Sequence, residues 1–129
     1  IKGKIYELLA TLYRQNKAAF PLPAQNVKSE IFEVQQYIEK NFKNEIMISE
    51  LADKFYINKY YLTHSFKELT GYSPKQYLLL NRLSFAKELL INSDFNISQI
   101  AQKAGFYDSN SFIRSFKNEY GITPNSYRK

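Results

Sequence analysis

The spacing of apolar residues along the chain predicts helices throughout. Near the start, an i, i+3, i+4, i+7 stripe predicts a short amphipathic helix to about residue 16; its members are Ile5, Leu8, Leu9 and Leu12. The two prolines within residues 20–26 predict a linker after it, since they cannot sit inside a helix. Apolar positions from Ile31 onward then predict a helix over about residues 30–42. No stretch alternates with period two for long enough to indicate a strand, so the predicted fold class is all-α.

The rest of the chain contains an internal repeat. Three pairs of strings carry it: ISELADK and ISQIAQK, SFK in both copies, and GYSP and GITP. The second copy is one residue longer, and the extra residue falls between two predicted helices, where a duplicated structure tolerates an insertion. Each copy is typical of a helix, a short turn and a longer helix, over about residues 48–72 and 97–121. A linker helix over about residues 74–91 joins the two copies.

Residues with capping side chains stand at the predicted helix ends. We predict N-caps at Ser49 and Ser98 for the first helix of each copy, and at Asn58 and Asp108 for the second helix. The glycines of GYSP and GITP suit the left-handed position after a helix. The prolines three residues later prevent simple continuation, so each begins a new helix.

The predicted core consists of apolar residues that recur at helical spacing. They are Leu62, Phe66, Leu69 and Tyr77 from the first copy, Leu79, Leu83, Ala86 and Leu90 from the linker helix, and Phe112, Phe116, Tyr120 and Tyr127 from the second copy.

Charge and composition narrow the classes of function. The 129 residues are 44% hydrophobic and 23% charged, as in ordinary globular proteins, but the formal net charge is +6 and the isoelectric point is about 9.4. A positive excess of this size fits a polyanionic partner. The sequence has no cysteine and one histidine, which excludes disulfides, thiolate zinc sites and a histidine pair for a metal. The lack of cysteine also fits a reducing cytoplasm.

No arrangement of residues indicates catalysis. The acidic residues scatter along polar helix faces, and the chain has neither a glycine-rich phosphate loop nor an HExxH motif. No apolar run approaches the ~18–20 residues that cross a bilayer. We therefore expect no enzymatic activity, no cofactor, no metal and no membrane span.

Two segments near the end of the chain resemble a known family. They are GFYDSNSFIRSFK, beginning at Gly105, and GITPNSYR, beginning at Gly121. Together they resemble the signature of AraC-family transcriptional regulators, and NRLSFAKELL, beginning at Asn81, resembles the linker helix of that family. The resemblance covers about residue 30 to the C-terminus. It implies an AraC-type DNA-binding domain over residues 29–129, with two helix-turn-helix subdomains joined by the linker helix.

The resemblance also implies a function and partners. It implies sequence-specific binding of double-stranded DNA by two recognition helices in successive major-groove segments. We expect an activator of transcription in the bacterial cytoplasm, with RNA polymerase as a partner. Residues 1–28 are expected to be the end of a preceding domain, and residues 1–16 a contact for that domain or for a second copy of the chain.

The resemblance places base contacts on the second helix of each copy. They are Tyr60, Thr63 and His64 in the first copy, and Ser109, Asn110, Ile113 and Arg114 in the second. Arg114 has the donors to bind a guanine edge, and the amide of Asn110 has the donor and the acceptor that bind adenine. Phosphate contacts are expected further along these helices and at helix N-termini, from Lys67, Lys117, Ser49 and Ser98.

Some of these residues have a structural alternative. Arg114 could pair with Asp108 or Glu119 instead of a base, the two lysines could be solvated, and His64 could be an exposed residue without a role. Gly105 suits the tight turn between two helices. Tyr56 stands near that position in the first copy, which therefore departs from the glycine turn.

Two other functions stay open at the level of sequence. A protein-interaction module could keep this fold, because the first recognition helix carries little positive charge. Residues 1–16 could also lie on a membrane surface through Lys2, Lys4 and Arg14. Steep weakening of binding by salt would distinguish DNA from a largely apolar protein contact.

Overall fold

Seven helices make up the part of the chain that the computed structural model describes, residues 23–129, with side chains from residue 28 onward. They are α1 (Pro23–Asn41), α2 (Ile48–Lys54), α3 (Lys59–Thr70), α4 (Pro74–Asn92), α5 (Ile97–Ala104), α6 (Ser109–Tyr120) and α7 (Pro124–Arg128). These residues contain no strand, and the predicted all-α class is confirmed. The helix predicted to about residue 16 lies outside the described residues.

Helix α1 begins earlier than predicted. It starts at Pro23, whereas the sequence predicted a linker over residues 20–26 and a helix from about residue 30. The second half of that linker therefore forms the first turn of α1. Proline is accommodated there because its missing N–H group would have no partner in the first turn of a helix, and its fixed φ already suits the helix.

The chain forms two compact units. Among the described residues, unit 1 comprises residues 23–37 and 47–74, and unit 2 comprises Ile38–Ile46 and Lys75–Lys129. The buried apolar side chains of unit 1 include Ile31, Val34, Leu51, Ala52, Leu62 and Phe66. The prediction that Leu69 joins them was wrong, because its side chain is 42% exposed. Leu69 lies in the last turn of α3, where the helix opens to solvent before its C-cap Gly71.

Unit 2 is built on aromatic packing around α6. Its buried cluster is Leu83, Ala86, Leu90, Ile100, Ala101, Ala104, Phe112 and Phe116. The Phe116 ring lies 5.8 Å from that of Phe112, 4.6 Å from Tyr120 and 5.6 Å from Tyr127, measured between ring centroids. Tyr77, Tyr120 and Tyr127 were predicted as core but are only half-buried. Their hydroxyl-bearing edges suit partial exposure, and the Tyr77 hydroxyl donates to the Glu39 carboxylate.

The predicted caps are correct for the second helix of each unit and wrong for the first. Asn58 accepts from the first-turn N–H groups of α3, and Asp108 accepts from that of Ser111 in α6. Ser49 and Ser98 instead lie inside helices that begin at the preceding isoleucines.

Of the two residues at these N-cap positions, only one makes side-chain capping bonds. Asn96 caps α5 in a capping box, where its side chain accepts from the Gln99 N–H and the Gln99 side chain accepts from the Asn96 N–H. Helix α2 has Met47 at its N-cap and no side-chain capping bond. The reciprocal bonds of the asparagine explain why α5 does not begin at the serine.

The turns between the paired helices have the same backbone bonds in both units. In unit 1 the Tyr56 N–H donates to the Asp53 carbonyl at 3.2 Å, and the Ile57 N–H to the Ala52 carbonyl at 2.8 Å. In unit 2 the N–H groups of Gly105 and Phe106 make the equivalent bonds, at 3.1 and 2.9 Å. These are the two bonds of a Schellman motif. Tyr56 adopts φ 56° and Gly105 φ 96°, so the tyrosine makes the glycine turn despite its side chain.

Arg82 ties the end of α1 to α4 within unit 2. Its Nε donates to the Phe42 carbonyl at 2.6 Å, and its Nη2 to the Asn44 carbonyl at 2.8 Å. Burial lowers the pKa of this guanidinium. Arg128 acts similarly at the end of α4, where it donates to the carbonyls of Leu90 and Ser93. Both arginines satisfy carbonyl groups at a helix C-terminus, where positive charge is also favoured.

Candidate nucleic-acid interface

Helix α3 presents an aromatic and polar face opposite its buried Leu62 and Phe66. The Tyr60 side chain is 74% exposed and its ring is stacked on that of His64, with centroids 5.9 Å apart and an angle of 4° between the planes. His64 Nε2 lies 3.9 Å from a carboxylate oxygen of Glu68. His64 therefore lies on the exposed face of α3, with its ring beside that of Tyr60.

The other predicted residues of α3 lie beside this stack. Thr63 is half-buried and Lys67 is exposed. Lys59, the first residue of α3, is also exposed and was not predicted as a contact. It follows the Asn58 cap directly, at the start of the helix.

Helix α6 presents a hydrogen-bonding face. Asn110, Arg114 and Lys117 are exposed, whereas Ser109 and Ile113 are half-buried. Among residues 23–129, Arg114 forms no ion pair within 4.0 Å, so the alternative pairing with Asp108 or Glu119 is not formed. The guanidinium donors of Arg114 are therefore available to a partner.

Asp108 holds the start of α6 in place. Its carboxylate accepts from the Ser111 N–H at 2.7 Å. The hydrogen bonds from Ser111, with a smaller contribution from the charge of Arg114, lower the pKa of Asp108. The cap is therefore a carboxylate across the neutral pH range, and it fixes the first turn of α6, which carries Ser109 and Asn110.

The two predicted serine contacts occupy equivalent places. Ser49 is the second residue of α2 and Ser98 the second residue of α5, and both are exposed. Since neither is an N-cap, their hydroxyl groups are not engaged as first-turn acceptors in the way that was predicted.

Positive charge is distributed unevenly between the units. Residues 23–37 and 47–74 of unit 1 carry four basic and five acidic residues, a net charge of −1. Unit 2 carries ten basic and six acidic residues, a net charge of +4. Unit 2 is therefore more attractive to a polyanion than residues 23–37 and 47–74.

The described residues hold neither a metal-binding cluster nor a membrane-spanning helix. Residues 23–129 contain no group of three His, Cys, Asp or Glu side chains placed to hold a metal ion. None of the helices within the same residues has the length and apolar character needed to cross a membrane.

Known proteins share these features. A helix-turn-helix domain model matches residues 51–129. The C-terminal domain of the two-component response regulator YesN from Fusobacterium nucleatum is 36% identical, with a TM-score of 0.71 over 74% of this chain and 94% of that domain. The chain belongs to the AraC-type helix-turn-helix family.

Two other AraC-type proteins extend the comparison. The Msm operon regulatory protein of Streptococcus mutans is 30% identical over 98% of this chain, which spans 46% of that protein's length. The DNA-binding domain of the transcription factor AdpA, solved in complex with a target DNA, is 26% identical, with a TM-score of 0.72 over 76% of this chain and 88% of that domain. These relatives are regulators of transcription rather than enzymes.

Proposed function

We propose that this chain binds double-stranded DNA at specific sites, with α3 and α6 each entering a major groove, and that it activates transcription. The observation that carries the proposal is the exposed face of α6, where Asn110 is exposed and Arg114 is exposed without an ion pair, next to a capped first turn. The AraC-type family and the DNA complex of AdpA support it.

Each predicted base contact has a chemical role in this proposal. Arg114 donates two bonds to O6 and N7 of a guanine, and Asn110 pairs with N6 and N7 of an adenine. Tyr60 and Ile113 pack against thymine methyl groups, while Thr63 and Ser109 bond to either kind of base. The ring nitrogen of His64 contacts a base next to Tyr60, from the stacked position described above.

The phosphate contacts are proposed to be unequal in the two units. Lys67 and Lys117 lie one turn beyond the base-reading residues and neutralise phosphates, with Ser49 and Ser98 as further contacts. Because unit 2 has a net charge of +4 and the described part of unit 1 has −1, unit 2 supplies most of the salt-dependent affinity. Unit 1 then contributes mainly to specificity.

The proposed partners and location follow from the same function. An activator of this family would act on chromosomal DNA in the bacterial cytoplasm and contact RNA polymerase. The whole protein could form a homodimer through residues 1–16 or through a domain outside this chain. No enzymatic step is part of the proposal.

The test is a selection from random duplex DNA, followed by titration of the recovered duplex at several salt concentrations. Helix α4 has 19 residues, so it is roughly 28 Å long at ~1.5 Å per residue. Two enriched blocks about one helical turn (~10 bp) apart are expected if both units read the same face of a duplex. One enriched block would restrict base reading to one unit, and no salt-sensitive binding at all would refute the proposal.

A second candidate function is protein binding by unit 1. The net charge of −1 over residues 23–37 and 47–74 and the exposed aromatic side chains of Tyr60 and Tyr61 favour it over DNA for that part of the chain. If unit 1 serves this role, substitutions at Thr63 and His64 leave the affinity for the selected duplex unchanged, whereas substitutions at Asn110 and Arg114 weaken it.

A further inference from the structure

Each unit exposes one tyrosine almost completely at the turn before its recognition helix. The Tyr56 and Tyr107 side chains are both 96% exposed, more than any other large hydrophobic residue that the structure describes. Neither was predicted as a contact from the sequence. A tyrosine that packs on nothing gives no stability to the fold in return for its apolar surface in water.

The backbone at Tyr56 is also strained. With φ at 56°, Tyr56 lies in the left-handed region, and no other non-glycine residue in the described part of the chain has a positive φ. The equivalent position in unit 2 is a glycine, which adopts φ 96° in the same pair of Schellman bonds. Glycine would relieve the strain at residue 56 without loss of packing, since the side chain has none. Residues kept in strained conformations cluster at functional sites.

Unit 2 exposes its tyrosine by a different route. There Gly105 takes the left-handed position, and Tyr107 is the residue by which the second copy is longer than the first. The insertion places the tyrosine directly before the Asp108 cap, while Tyr56 lies two residues before the Asn58 cap. Both units therefore present an exposed phenol within two residues of the N-cap of the second helix, by unrelated local geometries.

The place of these phenols suggests what they touch. In helix-turn-helix proteins the N-terminal residues of the recognition helix contact base edges, so the residues just before it meet the sugar-phosphate backbone at the edge of the groove. Tyrosine hydroxyl groups are among the donors that bind phosphate oxygens.

We infer that Tyr56 and Tyr107 are phosphate-contacting residues, each donating its hydroxyl to the DNA backbone at the edge of the groove that its unit occupies. The inference rests on the proposed DNA binding and adds two contacts to it. The contacts are neutral, so they position the units without neutralising phosphate charge.

The test uses the full chain and the duplex recovered by selection, with a random duplex of equal length alongside. Tyr56→Phe and Tyr107→Phe remove only the hydroxyl and are expected to weaken binding to both duplexes by about five- to tenfold, with the salt slope unchanged. Tyr72→Phe is the matched control, because Tyr72 is 46% exposed and follows the opposite end of α3. It should bind as the parent does.

Tyr56→Gly separates a binding role from a structural one. It is expected to leave the melting temperature unchanged or raise it by up to about 4 °C, because the relieved left-handed strain offsets the greater freedom of glycine in the unfolded chain, and yet to weaken DNA binding at least as much as Tyr56→Phe. Binding by the phenylalanine variants within twofold of the parent would overturn the inference, as would an equal loss in the Tyr72 control. If the parent itself shows no salt-sensitive binding, the proposed function and this inference both fail.

Discussion

A methyl group added at Gly105 is expected to destabilise unit 2 far more than the same change at Gly121. A Cβ at residue 105 would lie 2.8 Å from the Phe42 carbonyl oxygen, 2.9 Å from Arg82 Nε and 3.0 Å from the Lys43 carbonyl oxygen. Two of these atoms belong to the backbone and cannot rotate away as the end of a side chain can. Gly121 has a similar φ of 82°, but a Cβ there would meet no atom within 4 Å.

The two substitutions therefore share one cost and differ in another. Both place alanine in the left-handed region, at about 1–2 kcal/mol, and both reduce the freedom of the unfolded chain to the same extent. Only Gly105→Ala adds a steric cost of about 1–3 kcal/mol, since the neighbouring backbone must move. That movement also weakens the hydrogen bond from Arg82 to the Phe42 carbonyl. The loss of this half-buried bond lowers the free energy of unfolding by about 1 kcal/mol. We expect losses of about 3–5 kcal/mol for Gly105→Ala and about 1–2 kcal/mol for Gly121→Ala.

Urea unfolding followed by far-ultraviolet circular dichroism would measure both losses on the full chain. The expected result is a free energy of unfolding at least about 2 kcal/mol lower for Gly105→Ala than for Gly121→Ala. Equal losses in the two variants would refute the reasoning, because they would mean that the close approach of Gly105 to the Phe42 carbonyl does not affect the stability of alanine at this position.

Three further predictions concern DNA contacts, pH and capping. Arg114→Ala should reduce the free energy of binding to the selected duplex by about 1–3 kcal/mol and relax specificity at one position of the site. Lys117→Ala should weaken binding to all sequences alike and reduce the salt slope by about 1. If Arg114→Ala weakens binding to the selected and random duplexes equally, Arg114 does not read a base. Because the pKa of Asp108 is lowered from 3.8 on folding, its contribution to stability is present above that value and is lost as the pH falls through the lower folded pKa. In urea titrations between pH 2 and 5, Asp108→Asn should keep the cap but lose this dependence, and an unchanged profile would refute it. Asn96→Ala should lower the free energy of unfolding by about 1 kcal/mol, and Ser98→Ala should lower it by much less. The reverse order would indicate that Ser98 is the N-cap.

The sequence alone predicted the features that depend on near neighbours. The duplication, the two helix pairs and the caps at Asn58 and Asp108 all follow from residues within one or two turns of each other. The caps of α2 and α5 were misplaced because the serine nearest each predicted helix was taken as the cap, whereas the helices begin one residue earlier, after Met47 and Asn96. The N-x-x-Q pattern of a capping box, Asn96 to Gln99, was present in the sequence and indicated the correct start.

Tertiary structure decided what depends on residues far apart in the chain. Gly105 could be recognised as a turn glycine, but only the fold shows that it packs on a carbonyl 63 positions earlier, held by Arg82. Apolar periodicity likewise predicted burial for Leu69, which the end of α3 leaves exposed. The left-handed turn at Tyr56 and the unpaired state of Arg114 also required coordinates. The physical reason is that a cap or a helix forms from local hydrogen bonds, whereas exposure and close contact depend on which distant segments pack together.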